Sequence, residues 1–458
     1  MSYPPPSPST ASRDVPLTPL EGWISTKIGM PGSQLDLEAL PAFQLEKLNQ
    51  TLALVQSRSA FYRRQLGTDK LRLSSLAQLS TLPFTTGEHL RAAPFGFLCV
   101  RQDDVERIVT LPTSGTTGAP KRIFFTANDQ DLTRDFFHWG MSTLVDPGDR
   151  VLILLPGQLP GSVGALLKEG LARMDVVGIP HGPVTEPSRT LQIMAQERVT
   201  ALVGIPVQVL ALAKTWTTLA PRLEFNLKSV LLSTDCVPDS VVRTVEESWG
   251  CAVFNHYGTT EMGLGGGVDC PARTSYHLRE ADILFEVVDP VTGEPMPDGS
   301  PGEVVFTTLT RQAMPLIRYR TGDLSRFVPG PCPCGTGLKR LAHVDQRVDG
   351  NLRLPGGHML RQKDFDEALL ALDGVADFQV LISEDEAKWT LDVRMRPLPG
   401  ALAPDREVLE KALRAIPPIR SQGEQLQIRV DIGATEIETK ANAGTGKRRI
   451  VFVQEYGI

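Results

Sequence analysis

Nine consecutive residues, Thr113-Ser-Gly-Thr-Thr-Gly-Ala-Pro-Lys121, gather the groups that a polyanion requires. Gly115 and Gly118 let backbone N–H groups come close to phosphate oxygens and reach conformations denied to other residues. Ser114, Thr116 and Thr117 add hydroxyl donors, and Lys121 supplies a positive charge. A bare Gly-Thr-Thr-Gly reads most simply as a surface turn, because such residues crowd turns for local reasons. The complete nonamer carries more donors than a turn needs. It is not a Walker loop, since the Gly-x4-Gly-Lys-[Ser/Thr] spacing is absent. Gly446-Lys447 fails the same test, with Ala441 and Arg448 at the flanking positions. Kinases and P-loop ATPases are poor candidates.

Four further clusters could do chemistry. His256-Tyr-Gly-Thr-Thr-Glu261 follows an apolar run and offers a carboxylate, the donor a hard divalent ion prefers alongside substrate phosphates. Ile317-Arg-Tyr-Arg-Thr-Gly-Asp323 ends in a carboxylate able to accept from two hydroxyls at once. Gly444-Thr-Gly-Lys447 presents an ammonium in a glycine loop. Cys270, His277, Cys332 and Cys334 supply three thiolates and one imidazole, a closed tetrahedral set for structural zinc. Reduced cysteines in turns remain the plain alternative for that set. Cys99, Cys236 and Cys251 read as small buried hydrophobes. His138 and Trp139 are open between an acyl pocket and the core face of an amphipathic helix.

The nonamer resembles the phosphate loop of the adenylate-forming superfamily, which includes acyl-CoA synthetases, nonribosomal adenylation domains and luciferases. Within it the chain is most similar to phenylacetate-CoA ligases and other aryl-CoA ligases, from near Leu45 through Phe61-Tyr-Arg-Arg64 and Leu82-Pro-Phe-Thr-Thr86 to about Val453. The resemblance implies that Ser114 to Gly118 and Lys121 hold the phosphates of ATP. It implies that Tyr257 lies against the adenine within a motif containing Gly258 and Thr260, that Thr259 bonds the α-phosphate, and that Glu261 holds Mg²⁺. It places Asp323 and Arg347 on the ribose, an interdomain hinge at Asp349, and a catalytic lysine at Lys447. Some relatives also share the Cys, His, Cys-x-Cys pattern. Gln346-Arg-Val-Asp-Gly stands where the family has Gly-Arg-Ser-Asp-Asp, and Pro355-Gly-Gly-His358 where it has Arg-Gly-Val-Asn.

The implied reaction converts a small carboxylic acid, aromatic or hydrophobic, to an acyl-AMP and then to a thioester of coenzyme A. Transfer to an amine or to a carrier-protein thiol is the rival within enzymes. An inactive nucleotide-binding scaffold is the rival outside them, weakened by the presence of Lys121, Glu261, Asp323 and Lys447 together. A zinc-ribbon interaction module on Cys332 and Cys334 would leave most of the chain unexplained. A homodimer follows only from the resemblance.

The elements that must position these residues form an α/β fold. Short, nearly all-apolar segments at Val151–Leu155, Val176–Ile179, Ala201–Ile205, Val230–Leu232 and Ala252–Phe254 alternate with helical stretches such as Leu191–Glu197 and Pro238–Trp249. Uniformly apolar strands between helices indicate a parallel sheet covered on both faces. Leu45, Leu48, Leu52 and Val55 recur at helical spacing. Ile283–Val288 and Glu303–Thr308 read as a β-rich subregion. A small α+β unit follows, mobile by what the resemblance implies, with helices at Lys363–Leu372 and Asp405–Ala415 and strands at Phe378–Ile382, Trp389–Met395, Gln427–Val430 and Arg449–Val453. The expected organisation is an irregular extension over 1–40, a large adenylation domain over 41–345 and a C-terminal lid domain over 346–458.

Composition excludes several other classes. A net charge of −6 gives no global basic surface for nucleic acid. The apolar runs are strand-sized, well short of the ~20 residues a membrane-spanning helix needs. Six cysteines among 458 residues argue against a disulfide framework and for a reducing compartment. The opening residues show no secretory signal. The expected location is cytoplasmic.

Overall fold

The computed structural model describes residues 15–32, 35–36, 38–111, 120–219, 223–385, 388–423, 426–433 and 448–452. Its centre is an eight-stranded sheet with spatial order 340–341, 276–278, 267–269, 252–257, 229–232, 201–204, 150–153 and 177–180. The last five of these run parallel to one another. They are the apolar segments singled out by the sequence, and 201–204 and 229–232 are buried at every position. Parallel strands need long crossovers, and helices Val163–Ala172, Pro187–Gln196, Pro206–Leu219 and Asp239–Trp249 provide them. Gly250 ends the last helix in the left-handed conformation, φ 65°.

A second, antiparallel sheet orders strands 283–288, 302–308, 319–325 and 346–347. The hairpin 107–111/121–125 stands apart as a two-stranded ribbon. Farther on, strands 375–385 and 388–397 pair antiparallel, and 426–432 and 451–452 flank them. Helices Gln362–Leu369 and Arg406–Ala415 accompany this C-terminal sheet. No helix among the described residues is long and apolar enough to cross a membrane.

One expectation needs correction. Residues 1–40 read as irregular, yet Pro19–Lys27 is a helix. Thr18 caps it, Pro19 occupies its first turn, where a missing N–H costs nothing, and Leu20, Trp23 and Ile24 are buried. The indole of Trp23 donates to Asp135 at 2.8 Å and Lys27 pairs with Asp282 at 2.7 Å, so tertiary contacts hold a segment too short to be stable alone.

Candidate active site

The 107–111/121–125 hairpin sets Leu111 opposite Lys121. Ser114, Gly115, Thr116, Thr117 and Gly118, expected from the sequence to hold phosphates, fall between these two positions and lie outside the described residues. Lys121, at the start of the returning strand, forms an ion pair with Glu261. Glu261 sits in the turn after strand 252–257, which closes through Met262 N–H to the Thr259 carbonyl at 3.1 Å and Leu264 N–H to the same oxygen at 2.9 Å. Gly258 makes that turn possible, because a Cβ there would lie 2.6 Å from the Leu264 carbonyl oxygen.

Burial alone would raise the Glu261 carboxyl, but the Lys121 ammonium overrides it and holds the group below the usual carboxylate range. Tyr319 completes the cluster: its phenol donates to Glu261 Oε1 at 3.2 Å and accepts from Lys121 Nζ at 3.3 Å. From beneath, Arg311 Nη1 donates to the Glu261 carbonyl at 2.6 Å.

Asp323 lies on strand 319–325 directly opposite Arg347, and the two form an ion pair. Fully buried, Asp323 also accepts from the Tyr257 hydroxyl at 3.1 Å. Burial and the nearby Asp323 charge push the Tyr257 phenol well above its ordinary value, so it remains a donor. Tyr257 stacks on Tyr276 with centroids 5.7 Å apart. Arg347 reaches Asp349 as well, at 3.2 Å.

Lys121, Thr259, Glu261, Asp323 and Arg347 all line one cleft of about 1430 Å³. Phe136, Phe137, Met141, Val203, Ile205 and Leu231 line it too. The cleft thus offers charged groups and apolar side chains together, the mix that a polar nucleotide and an apolar acid would require. Comparison with known proteins decides the family. Residues 44–310 match the AMP-binding enzyme family. The chain belongs to that family.

Among other AMP-binding enzymes, it is 32% identical to the phenylacetate-coenzyme A ligase of Thermus thermophilus over 79% of this chain and 84% of that one. It is 28% identical to the phenylacetate-coenzyme A ligase of Escherichia coli, over 71% and 75%. A 2-hydroxyisobutyryl-CoA ligase, solved in its postadenylation state, shares the fold with a TM-score of 0.76 at 21% identity, covering 98% of this chain and 94% of that one.

Lys447 lies outside the described residues, but its neighbour Arg448 does not. Arg448 forms ion pairs with Asp366 at 2.6 Å and Asp377 at 3.2 Å, and its backbone N–H donates to Asp235 at 3.2 Å. Cys270, His277, Cys332 and Cys334 converge with all four donor atoms within 4.8 Å. The Cys270 and Cys332 sulfurs are 3.6 Å apart, and Cys334 Sγ is 3.5 Å from His277 Nε2. A disulfide needs about 2.05 Å. Tetrahedral zinc, with bonds of about 2.3 Å to sulfur and 2.0 Å to nitrogen, sets its donors about 3.5–3.8 Å apart. The residues fit that ion.

Sequence reasoning missed Tyr319 and Arg448 as site residues, and it did not find the apolar lining. His138 and Trp139 were left open on the 127–141 helix; their neighbours Phe136, Phe137, Gly140 and Met141 are the ones that face the cleft. A search for apolar or small residues at i, i+1, i+4 and i+5 on the helix after the hairpin would have found them.

Proposed function

We propose that this AMP-binding enzyme activates a small aromatic or hydrophobic carboxylic acid as its acyl-AMP and then forms the thioester of coenzyme A. The observation that carries the reading is that Lys121, Glu261 and Asp323 line the same cleft as Phe136, Phe137, Met141 and Val203. A carboxylate oxygen of the acid attacks the α-phosphorus of ATP, the bond to pyrophosphate breaks, and a mixed anhydride forms. The thiol sulfur then attacks the acyl carbon, its proton passes to solvent, and AMP departs with the former carboxylate oxygen.

In this scheme Asp323 and Arg347 orient the ribose, and the Thr259 hydroxyl meets the α-phosphate. Lys121 and the loop from Ser114 to Gly118 offset phosphate charge. Tyr257 lies against the adenine, and Phe136, Phe137 and Met141 receive the acyl group and exclude water. Glu261, a buried hard-oxygen donor, suits magnesium, which would supply charge neutralisation at the phosphates. Lys447 brings an ammonium to the charge that grows as the anhydride forms. Residues 346–458 act as the lid that carries it, turning near Asp349 between half-reactions. Cys270, His277, Cys332 and Cys334 hold a structural zinc.

The test is pyrophosphate exchange with a panel of carboxylic acids, run with and without coenzyme A. Exchange dependent on an aromatic or small hydrophobic acid, with thioester formed only when coenzyme A is present, is the expected result. Exchange with no acid in the panel, or product formed only with an amine, would overturn the assignment. Lys447→Ala should lower exchange by roughly 10²- to 10³-fold. Metal analysis of the purified protein should return one zinc per chain, and zinc-free protein that folds normally in chelator would remove that part.

A further inference from the structure

We propose that Lys121, Glu261 and Tyr319 form a charge-closed triad that a divalent cation and a nucleotide's phosphates must open together, so that each raises the protein's affinity for the other. The inference rests on the functional reading above and concerns the order built into the same site.

Glu261 is only 5% exposed, and its backbone carbonyl is held by Arg311, so the carboxylate cannot escape its surroundings by moving the turn. Among the described residues, Lys121 and Glu261 each make a single ion pair, with one another. The Tyr319 phenol bridges them, donating to Glu261 at 3.2 Å and accepting from Lys121 at 3.3 Å. Its one O–H and one of its lone pairs thus go to keeping the pair together.

Consider the two ligands separately. A cation that takes Glu261 displaces Lys121 and strands an ammonium within the cleft. A phosphate that draws Lys121 away leaves a buried carboxylate without its ion-pair partner, Arg311 being engaged at the backbone carbonyl. Either event loses the pair and exposes the cost of breaking a buried charge pair. When both ligands arrive, Glu261 meets the cation, Lys121 meets the phosphate, and no charge is left alone. Two ligands that each remove the other's penalty are coupled, and the coupling is reciprocal.

The experiment uses Mn²⁺ as the metal probe and ATP as the nucleotide, with no carboxylic acid present. Binding of Mn²⁺ alone is followed by electron paramagnetic resonance for the wild type, Lys121→Met, Glu261→Gln and Tyr319→Phe. Binding of ATP to the wild type is followed by calorimetry with Mn²⁺ and with EDTA. Lys121→Met should bind Mn²⁺ alone at least about fivefold more tightly than the wild type, the lower end of ordinary coupling. Tyr319→Phe keeps the ring against Phe306, 5.4 Å between centroids, and should move the affinity the same way by about twofold. Glu261→Gln should bind Mn²⁺ no better than the wild type, and wild-type ATP affinity should rise at least about fivefold with Mn²⁺. Unchanged Mn²⁺ affinity in Lys121→Met and Tyr319→Phe, with ATP binding indifferent to metal, would overturn the inference while leaving the ligase reading standing. Failure of the wild type to bind ATP under either condition would overturn both.

Discussion

Glu261 brings together most of what individual residues do in this protein. Its carboxylate is buried, ionised and paired, and it borders the cleft rather than the core. Glu261→Gln keeps the shape and the hydrogen-bond acceptor but removes the charge, leaving Lys121 without its ion-pair partner. Acid-dependent pyrophosphate exchange should fall by about 10²- to 10³-fold, comparable to the removal of one preorganised charge-stabilising group, while circular dichroism stays native. The residue types of this site were legible in the sequence because each sits in a short motif with its own chemistry. Tyr319 was not, although it lies in the Ile317–Asp323 motif. Its hydroxyl partners are 198 and 58 positions away, and no local pattern announces a contact that only the assembled sheets create.

At the scale of elements, apolar runs revealed the parallel strands, since a strand buried on both faces must be apolar throughout. The 19–27 helix escaped notice because Pro, Gly and Ser surround it. Thr18-Pro19, a cap followed by a proline in the first turn, was the available signal. The turn after strand 252–257 depends on Gly258, and Gly258→Ala should destabilise the protein by about 1–3 kcal/mol through overpacking against the Leu264 carbonyl, read as a lower melting temperature.

Arg448 seats the 448–452 segment against strand 375–385 and helix 362–369. Arg448→Met leaves Asp366 and Asp377 buried without it, so stability should fall by roughly 3–5 kcal/mol at pH 8. That loss should depend on pH. Burial pushes the Asp366 carboxyl up to about 6 despite the opposing pull of Arg448. The folded state therefore holds this proton more tightly than the unfolded chain, whose value is about 3.9. The stability that protonation contributes is present below about pH 4 and lost as pH rises through 6. Without Arg448 the folded value climbs further, and the melting-temperature gap between variant and wild type should narrow from pH 8 to pH 5. An equal gap at both would contradict this placement of Arg448.

For the whole molecule, one apolar cluster runs from the central parallel sheet into the C-terminal elements, through Phe365, Leu369 and Val380. Two charged contacts fasten the same junction. Glu367 accepts from the N–H groups of Asp239 and Ser240 at 2.6 and 2.9 Å, placing an anion at the start of helix 239–249. Lys214 donates to the carbonyls of Leu370, Leu372 and Val375 at 2.8, 2.6 and 3.0 Å. Lys214→Met should weaken this seam, with faster proteolysis between residues 346 and 375 and little change in helix content. Cleavage at the wild-type rate would show that the apolar cluster alone holds the units together. The order of large α/β part, β-rich subregion and C-terminal α+β unit was legible from the change in hydrophobic period. The seam was not, because a lone lysine and a lone glutamate carry no periodic signal.

The central claim is that the acid is activated as an adenylate, and following an isotope tests it most directly. The acid is labelled with ¹⁸O in its carboxylate and turned over with ATP and coenzyme A. Attack on the α-phosphorus requires one labelled oxygen to leave with AMP, and none to enter pyrophosphate. Label recovered in orthophosphate with ADP as the nucleotide product would mean an acyl phosphate instead, and would contradict the account.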